Sequence, residues 1–206
     1  MASAEPIFRI NPNFRLNTEH LAVAWHLVDF HTLQSEGVIS VPGRHVFSYK
    51  GKVQVLVQRN GRQVDMIYHP DTDFEVRGIQ KWLREYFRDT ITELAKDALP
   101  KRVKYWEENK GLHGGGVEIK RLRKSILACC SYHNRITLQP FLVLFKQEWC
   151  DEIILHEMAH YRYKNHKKEF WKFLSQLLGR DAKKAKAQKD IELSPYYAYC
   201  LYLTKN

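Results

Sequence analysis

His156-Glu157-Met158-Ala159-His160 sets two imidazoles four residues apart with a carboxylate beside the first. Four residues make about one helical turn, so on a helix His156 and His160 project from the same face. Two imidazoles placed in this way can take two corners of a tetrahedral zinc site. Glu157 lies about 100° round from His156, on the flank of that face. From there its carboxylate can reach an attacking water without ligating the metal, the position of a general base.

A third imidazole follows at His166, six residues after His160. A helix continued to that point would turn His166 away from the first two, so the chain must bend back. Asn165 is the residue expected to do this, through a left-handed conformation. The ligand spacing equals that of the metzincin pattern, but Tyr163 stands where that pattern has glycine and no Met-turn is visible. Three neutral imidazoles would leave a fourth metal position open. That favours a catalytic zinc site over a closed, cysteine-rich structural one. Cys129, Cys130, Cys150 and Cys200 show no C-x-x-C spacing and no disulfide framework.

The elements that must hold these residues can be read from periodicity. A helix is predicted from Lys146 to about Tyr163, free of Gly and Pro, with Ile154, Leu155, Met158 and Ala159 as its buried face. Another runs from Lys168 to Leu178 and stops at Gly179, a natural left-handed cap. Upstream, Lys52–Gln58 and Gln63–Tyr68 alternate around Asn60-Gly61 and read as a hairpin with a type I′ turn. Ile79, Trp82, Leu83, Tyr86, Phe87, Ile91, Leu94 and Ala95 mark a long helix that Pro100 should end or break. Gly114-Gly115-Gly116 lacks the pattern of a phosphate cradle and reads as a turn. Short strands are expected near 117–123, 126–130 and 135–138. The last of these is the strand that would lie along a cleft and pair with an extended peptide. Asn17 to Leu33 reads as a helix capped by Thr18, Arg180 to Lys189 as exposed helix or mobile chain, and Tyr196 to Leu203 as a last strand.

The bulk properties exclude some classes and leave others open. The 206 residues suit one domain, with or without an extension. No stretch nears the roughly 20 apolar residues of a membrane span. Met1-Ala2-Ser3-Ala4-Glu5-Pro6 lacks a basic segment followed by an apolar run, and the cysteine usage suits a reducing compartment, so a cytoplasmic chain is expected. Lys+Arg 33 against Asp+Glu 23 gives a formal charge of +10. Such a surface could draw in a nucleotide or nucleic acid, although no basic cluster is interleaved with aromatics as a recognisable nucleic-acid motif.

Asp151-Glu152-Ile153-Ile154-Leu155-His156-Glu157-Met158-Ala159-His160, then Asn165-His166, then Glu169-Phe170-Trp171, resembles the YgjP-like metallopeptidase family, whose pattern is an apolar run into HELAH, then NH, then FW. The likeness covers roughly residues 50 to 180. Where the family usually carries W-G-S-C-S before a strand ending in Asn, this chain has Leu127-Ala128-Cys129-Cys130-Ser131 and then Ile136-Thr137-Leu138-Gln139. The resemblance implies an α+β fold with a zincin-like core related to the SprT-like proteases. An N-terminal β-hairpin and a small antiparallel sheet would pack on helices, with HExxH on a central helix. It implies Zn2+ held by His156, His160 and His166, with Glu157 as base and a peptide or protein as substrate. Phe170 and Trp171 would be packing residues that pin the loop of His166. Tyr161, Tyr163 and His133 are candidates for stabilising the oxyanion. Two other readings stay open: a zinc-dependent nucleoside triphosphate pyrophosphatase with Arg123, Lys124 and Arg135 on the phosphates, and a basic nucleic-acid-associated module. The expected organisation is an N-terminal extension at 1–45, a metallopeptidase domain at 46–179 and a basic C-terminal tail at 180–206.

Overall fold

The computed structural model describes residues 8–34, 44–123 and 126–204. Two compact units emerge, Met1–Tyr86 and Phe87–Asn206.

The first unit is built on a four-stranded sheet of β1 (Ala22–Leu27), β2 (Arg44–Tyr49), β3 (Lys52–Asn60) and β4 (Gln63–Tyr68), in the order β1-β4-β3-β2. The predicted hairpin is β3–β4, paired antiparallel from Val55↔Tyr68 to Asn60↔Gln63. Its turn is Gly61-Arg62, one residue later than expected. Positive φ occurs at Gly61 (59°) but not at Arg62, which is the type II′ pattern in place of I′. Alternation in β4 puts Val64 and Met66 out of water, whereas in β3 the consecutive Val55, Leu56 and Val57 are all buried, so both faces of that strand are covered there.

The helix expected over Asn17 to Leu33 is instead strand β1 followed by the short helix α1 (Phe30–Gln34). Thr18 does act as a cap of sorts, its Oγ1 accepting from the Leu21 N–H at 3.1 Å. The turn it closes feeds a strand, because β4 offers an unpaired edge and β1 fills it in parallel, Ala22↔Gln63 through Leu27↔Tyr68. Trp25 then packs edge-on against Tyr68 and Phe74 and donates its Nε1–H to the Phe14 carbonyl. Burial of the indole against a sheet outweighs a weak helical pattern.

Helix α2 (Arg77–Lys110) begins in the first unit and continues into the second, running straight through Pro100. Proline deprives the carbonyl four residues back of its N–H partner, here Lys96, which is exposed so that water can take the place. The same holds for Pro195 inside α5 (Ala182–Leu203), whose i−4 residue Ile191 is 71% exposed. The strand expected over Tyr196 to Leu203 is therefore the end of a helix. Ala182, Ala185, Lys189, Leu193, Cys200 and Leu203 form one buried helical stripe that continues past the proline. Tyr197 meets Phe141 and Tyr196 meets Trp149, so this stretch is an integral part of the second unit.

A three-stranded sheet of β5 (Val117–Ile119), β6 (Ala128–Cys130) and β7 (Ile136–Leu138) leads into the site. Its order is β5-β7-β6, with β5 parallel and β6 antiparallel to β7. The sheet is mixed rather than antiparallel because the chain crosses from β5 to the far edge before returning through the middle. A 3-10 turn at Pro140–Leu144 follows, then α3 (Gln147–Ala159), α4 (Lys168–Leu178) and α5. Helix α3 packs against β6 on one side and α4 on another. No helix among the described residues is long and apolar enough to cross a membrane.

Candidate metal centre

Helix α3 is buried nearly all round, with Trp149, Cys150, Glu152, Ile153, Ile154, Leu155, Glu157, Met158 and Ala159 out of water. A helix enclosed in this way holds its side chains in fixed directions, which a metal site requires. Three ion pairs, made by two adjacent carboxylates, fix it further. Asp151 accepts from the Arg102 guanidinium and from Trp106 Nε1. Glu152 pairs with Arg180 and, at 3.8 Å, with the buried Lys189 of α5.

His156 and His160 occupy successive turns, their ring centroids 5.2 Å apart. His166 comes back to meet them, its Nε2 lying 3.0 Å from His156 Nε2. One nitrogen from each of the three rings lies within 4.8 Å of the others. The return is made by tightening the helix end: His160 N–H donates to Glu157 O and Tyr161 N–H to Met158 O, each three residues back. Asn165 is not left-handed as expected; among the described residues only Lys50 and Asn134 combine a side chain with positive φ. Its Oδ1 instead accepts from Lys167 N–H at 3.3 Å. Trp171 Nε1 donates to the His166 carbonyl at 2.9 Å, and the fully buried Phe170 sits among all three imidazoles at centroid distances of 4.9, 4.6 and 4.6 Å. Both aromatics therefore pin the loop, as the resemblance implied.

The surroundings keep the imidazoles neutral. Burial, then the neighbouring His160 and His166, push the His156 pKa down to about 3, and burial also lowers His160. Neutral rings with free lone pairs are what zinc requires. The His160 Nδ1–H donates to the Tyr163 carbonyl at 2.8 Å, which leaves Nε2 to face the cluster. Zinc bonded to imidazole nitrogen at about 2.0–2.1 Å in a tetrahedron separates its ligand atoms by roughly 3.3 Å. The 3.0 Å between His156 and His166 is close to that separation and the all-nitrogen donor set suits the ion, while the three donors, spread over up to 4.8 Å, would draw together around it. Glu157 is 7% exposed, and burial raises its pKa to about 7 against the opposing charge of Lys189.

The other residues singled out by sequence divide. Tyr163 contributes its carbonyl, while its ring packs on Phe173. Tyr161 gives its hydroxyl to Glu107 Oε1 at 2.9 Å. His133 presents its carbonyl to Gly115, where an added Cβ would come within 2.3 Å. Glu118 is held low chiefly by its hydrogen bond with Lys120. Lys124 lies outside the described residues. Strand β7 is paired on both edges and cannot take up a peptide, contrary to expectation; β5 and β6 are the edge strands, and β6 is the one packed on α3. Sequence reasoning missed Glu107 and Lys164. The glycine run was a signal for the first, since Gly114 leaves no room for a Cβ beside Tyr161 and gives its N–H to Glu107. Lys164 had no such signal.

A model of the YgjP-like metallopeptidase domain matches residues 24–189. The crystal structure of the metallopeptidase zymogen of Pyrococcus abyssi abylysin is similar at 22% identity over 45% of this chain and 92% of that one, with a TM-score of 0.39. That of Methanocaldococcus jannaschii jannalysin is similar at 24% identity over the same shares, also with a TM-score of 0.39. No curated protein matches the chain.

Proposed function

We propose, for a chain that belongs to the YgjP-like metallopeptidase family, that His156, His160 and His166 hold one zinc ion and that Glu157 is the general base of peptide hydrolysis. Membership makes the chain an enzyme of the metallopeptidase type. The convergence of three imidazole nitrogens within 4.8 Å carries the assignment of the ligands. The zincin-like character of the α3 region rests on the same convergence.

Zinc, when bound, would polarise a scissile carbonyl and ease ionisation of the attacking water. Glu157 lies next in sequence to His156 and is too buried to be hydrated freely. A carboxylate made more basic by burial accepts a proton from water and holds it for the departing amine. Phe170 closes the floor behind the imidazoles and excludes water from that side. Strand β6 is paired only through β7 among the described residues, so its other edge offers backbone groups to an extended peptide.

The test is hydrolysis of an unfolded protein by zinc-loaded chain beside its Glu157→Gln variant. The variant is expected to keep its zinc and lose turnover by about 10²–10⁴-fold. Undiminished turnover would place the base elsewhere. Pyrophosphate release from nucleoside triphosphates that vanishes in the variant would keep the site and move its substrate to a nucleotide.

A further inference from the structure

The loop between the second and third histidines is fastened at its middle. Lys164 stands four residues after His160 and two before His166. Its ammonium reaches the β6–β7 turn, 2.9 Å from the Ser131 carbonyl and 2.6 Å from Asn134 Oδ1. The third face of the ammonium looks toward Cys130 Sγ at 4.0 Å and the Tyr132 ring at 5.9 Å. An ammonium has three N–H donors, and here two go to oxygen while the third meets softer partners.

The receiving turn is rigid. Asn134 is left-handed (φ 60°), its N–H donates to Ser131 O, and Arg135 N–H donates to Ser131 Oγ. Its carbonyl accepts from Gly115 N–H at 2.9 Å, where the backbones approach too closely for any side chain. Lys164 is otherwise exposed, so nothing in the apolar interior depends on it.

We propose that Lys164 is a positioning residue for the metal centre, bonding Ser131 and Asn134 so that the loop carrying His166 is locked to the β6–β7 turn. Without that tie, the loop must be ordered at the moment the metal binds, and affinity falls by the cost of ordering it. The lock also joins the third imidazole to β6, so the metal centre and the sheet edge move as one body. The inference rests on the histidine assignment above.

Zinc affinity is measured by chelator competition for the wild type, Lys164→Ala, Lys164→Arg, Asn134→Gly and the Lys164→Ala/Asn134→Gly double variant, with His166→Ala as control. Glycine at 134 keeps the left-handed turn while removing the acceptor. Apo-protein melting is followed for each. Lys164→Ala is expected to weaken zinc binding about tenfold with an unchanged apo melting temperature. Arginine is expected to restore part of the loss, and the double variant to bind no more weakly than Lys164→Ala alone. Affinity of Lys164→Ala within about twofold of wild type, fully additive losses, or an apo melting loss equal to the holo loss would each overturn the proposal. A wild type that takes up no stoichiometric zinc would sink the histidine assignment and this inference together. Normal wild-type binding, lost in His166→Ala and intact in Lys164→Ala, would sink this inference alone.

Discussion

Replacing Gly115 by alanine tests how tightly the glycine loop is pressed against the turn behind the metal centre. The backbone of Gly115 is not left-handed, so alanine could adopt its dihedrals without strain. Space forbids it. The new Cβ would sit 2.3 Å from the His133 carbonyl oxygen, whereas ordinary contact begins near 3.4 Å. The two segments must part by about 1 Å, and both neighbours are backbone that cannot swing aside. Parting them stretches the Gly115 N–H···O Asn134 bond from 2.9 Å, a loss of about 1 kcal/mol. Crowding adds about 1–3 kcal/mol, for roughly 2–4 kcal/mol in all. In a chain of this size, the melting temperature should fall by roughly 5–15 °C. Gly179→Ala is the matched comparison: nothing lies within 4 Å of its added Cβ, but its φ of +68° is left-handed. That conformation should cost alanine only about 1–2 kcal/mol. Circular dichroism melts of the two apo variants settle the order. A Gly115→Ala protein that melts within about 2 °C of wild type, or above Gly179→Ala, would refute the close approach on which the rigid turn depends.

His166→Ala should lose most of its bound zinc while keeping its helical signal, since His166 lies in the exposed loop between α3 and α4. Retention of metal at wild-type stoichiometry, read by atomic absorption, would remove His166 from the ligand set. Asp151→Ala should lower the urea midpoint, because it removes the carboxylate to which the Arg102 guanidinium and the Trp106 N–H both donate. With side chains 15% and 25% exposed, solvent screens part of the pair, and a loss of about 2 kcal/mol is expected. An unchanged midpoint would show that α3 does not need this anchor.

What could be read along the chain was whatever depends on neighbours a few residues away. The spacing of His156 and His160 fixes their common face once a helix forms, and the absence of Gly and Pro from Gln147–Ala159 lets it form. Alternation around Gly61 specifies the β3–β4 hairpin, and Gly179 ends α4 in the left-handed state it favours. Choices among competing partners were not legible. Leu21 to Val28 is apolar enough for a helix or a strand, and the open edge of β4 decided for the strand. The apolar end of α5 reads as a strand until the buried stripe from Ala182 to Leu203 shows which residues share a face. Strand order is likewise non-local: β6 and β7 are each three residues long and follow one another in the chain, yet β6 is at an edge and β7 is enclosed. The bend expected from a left-handed Asn165 is made instead by the tightened end of α3, and the asparagine that is left-handed is Asn134 in the β6–β7 turn, thirty residues before Lys164 in the chain and 2.6 Å from its ammonium. Local periodicity determines the faces that side chains point from. Only packing decides which faces meet, because the free energy of burial depends on atoms that the sequence places far apart.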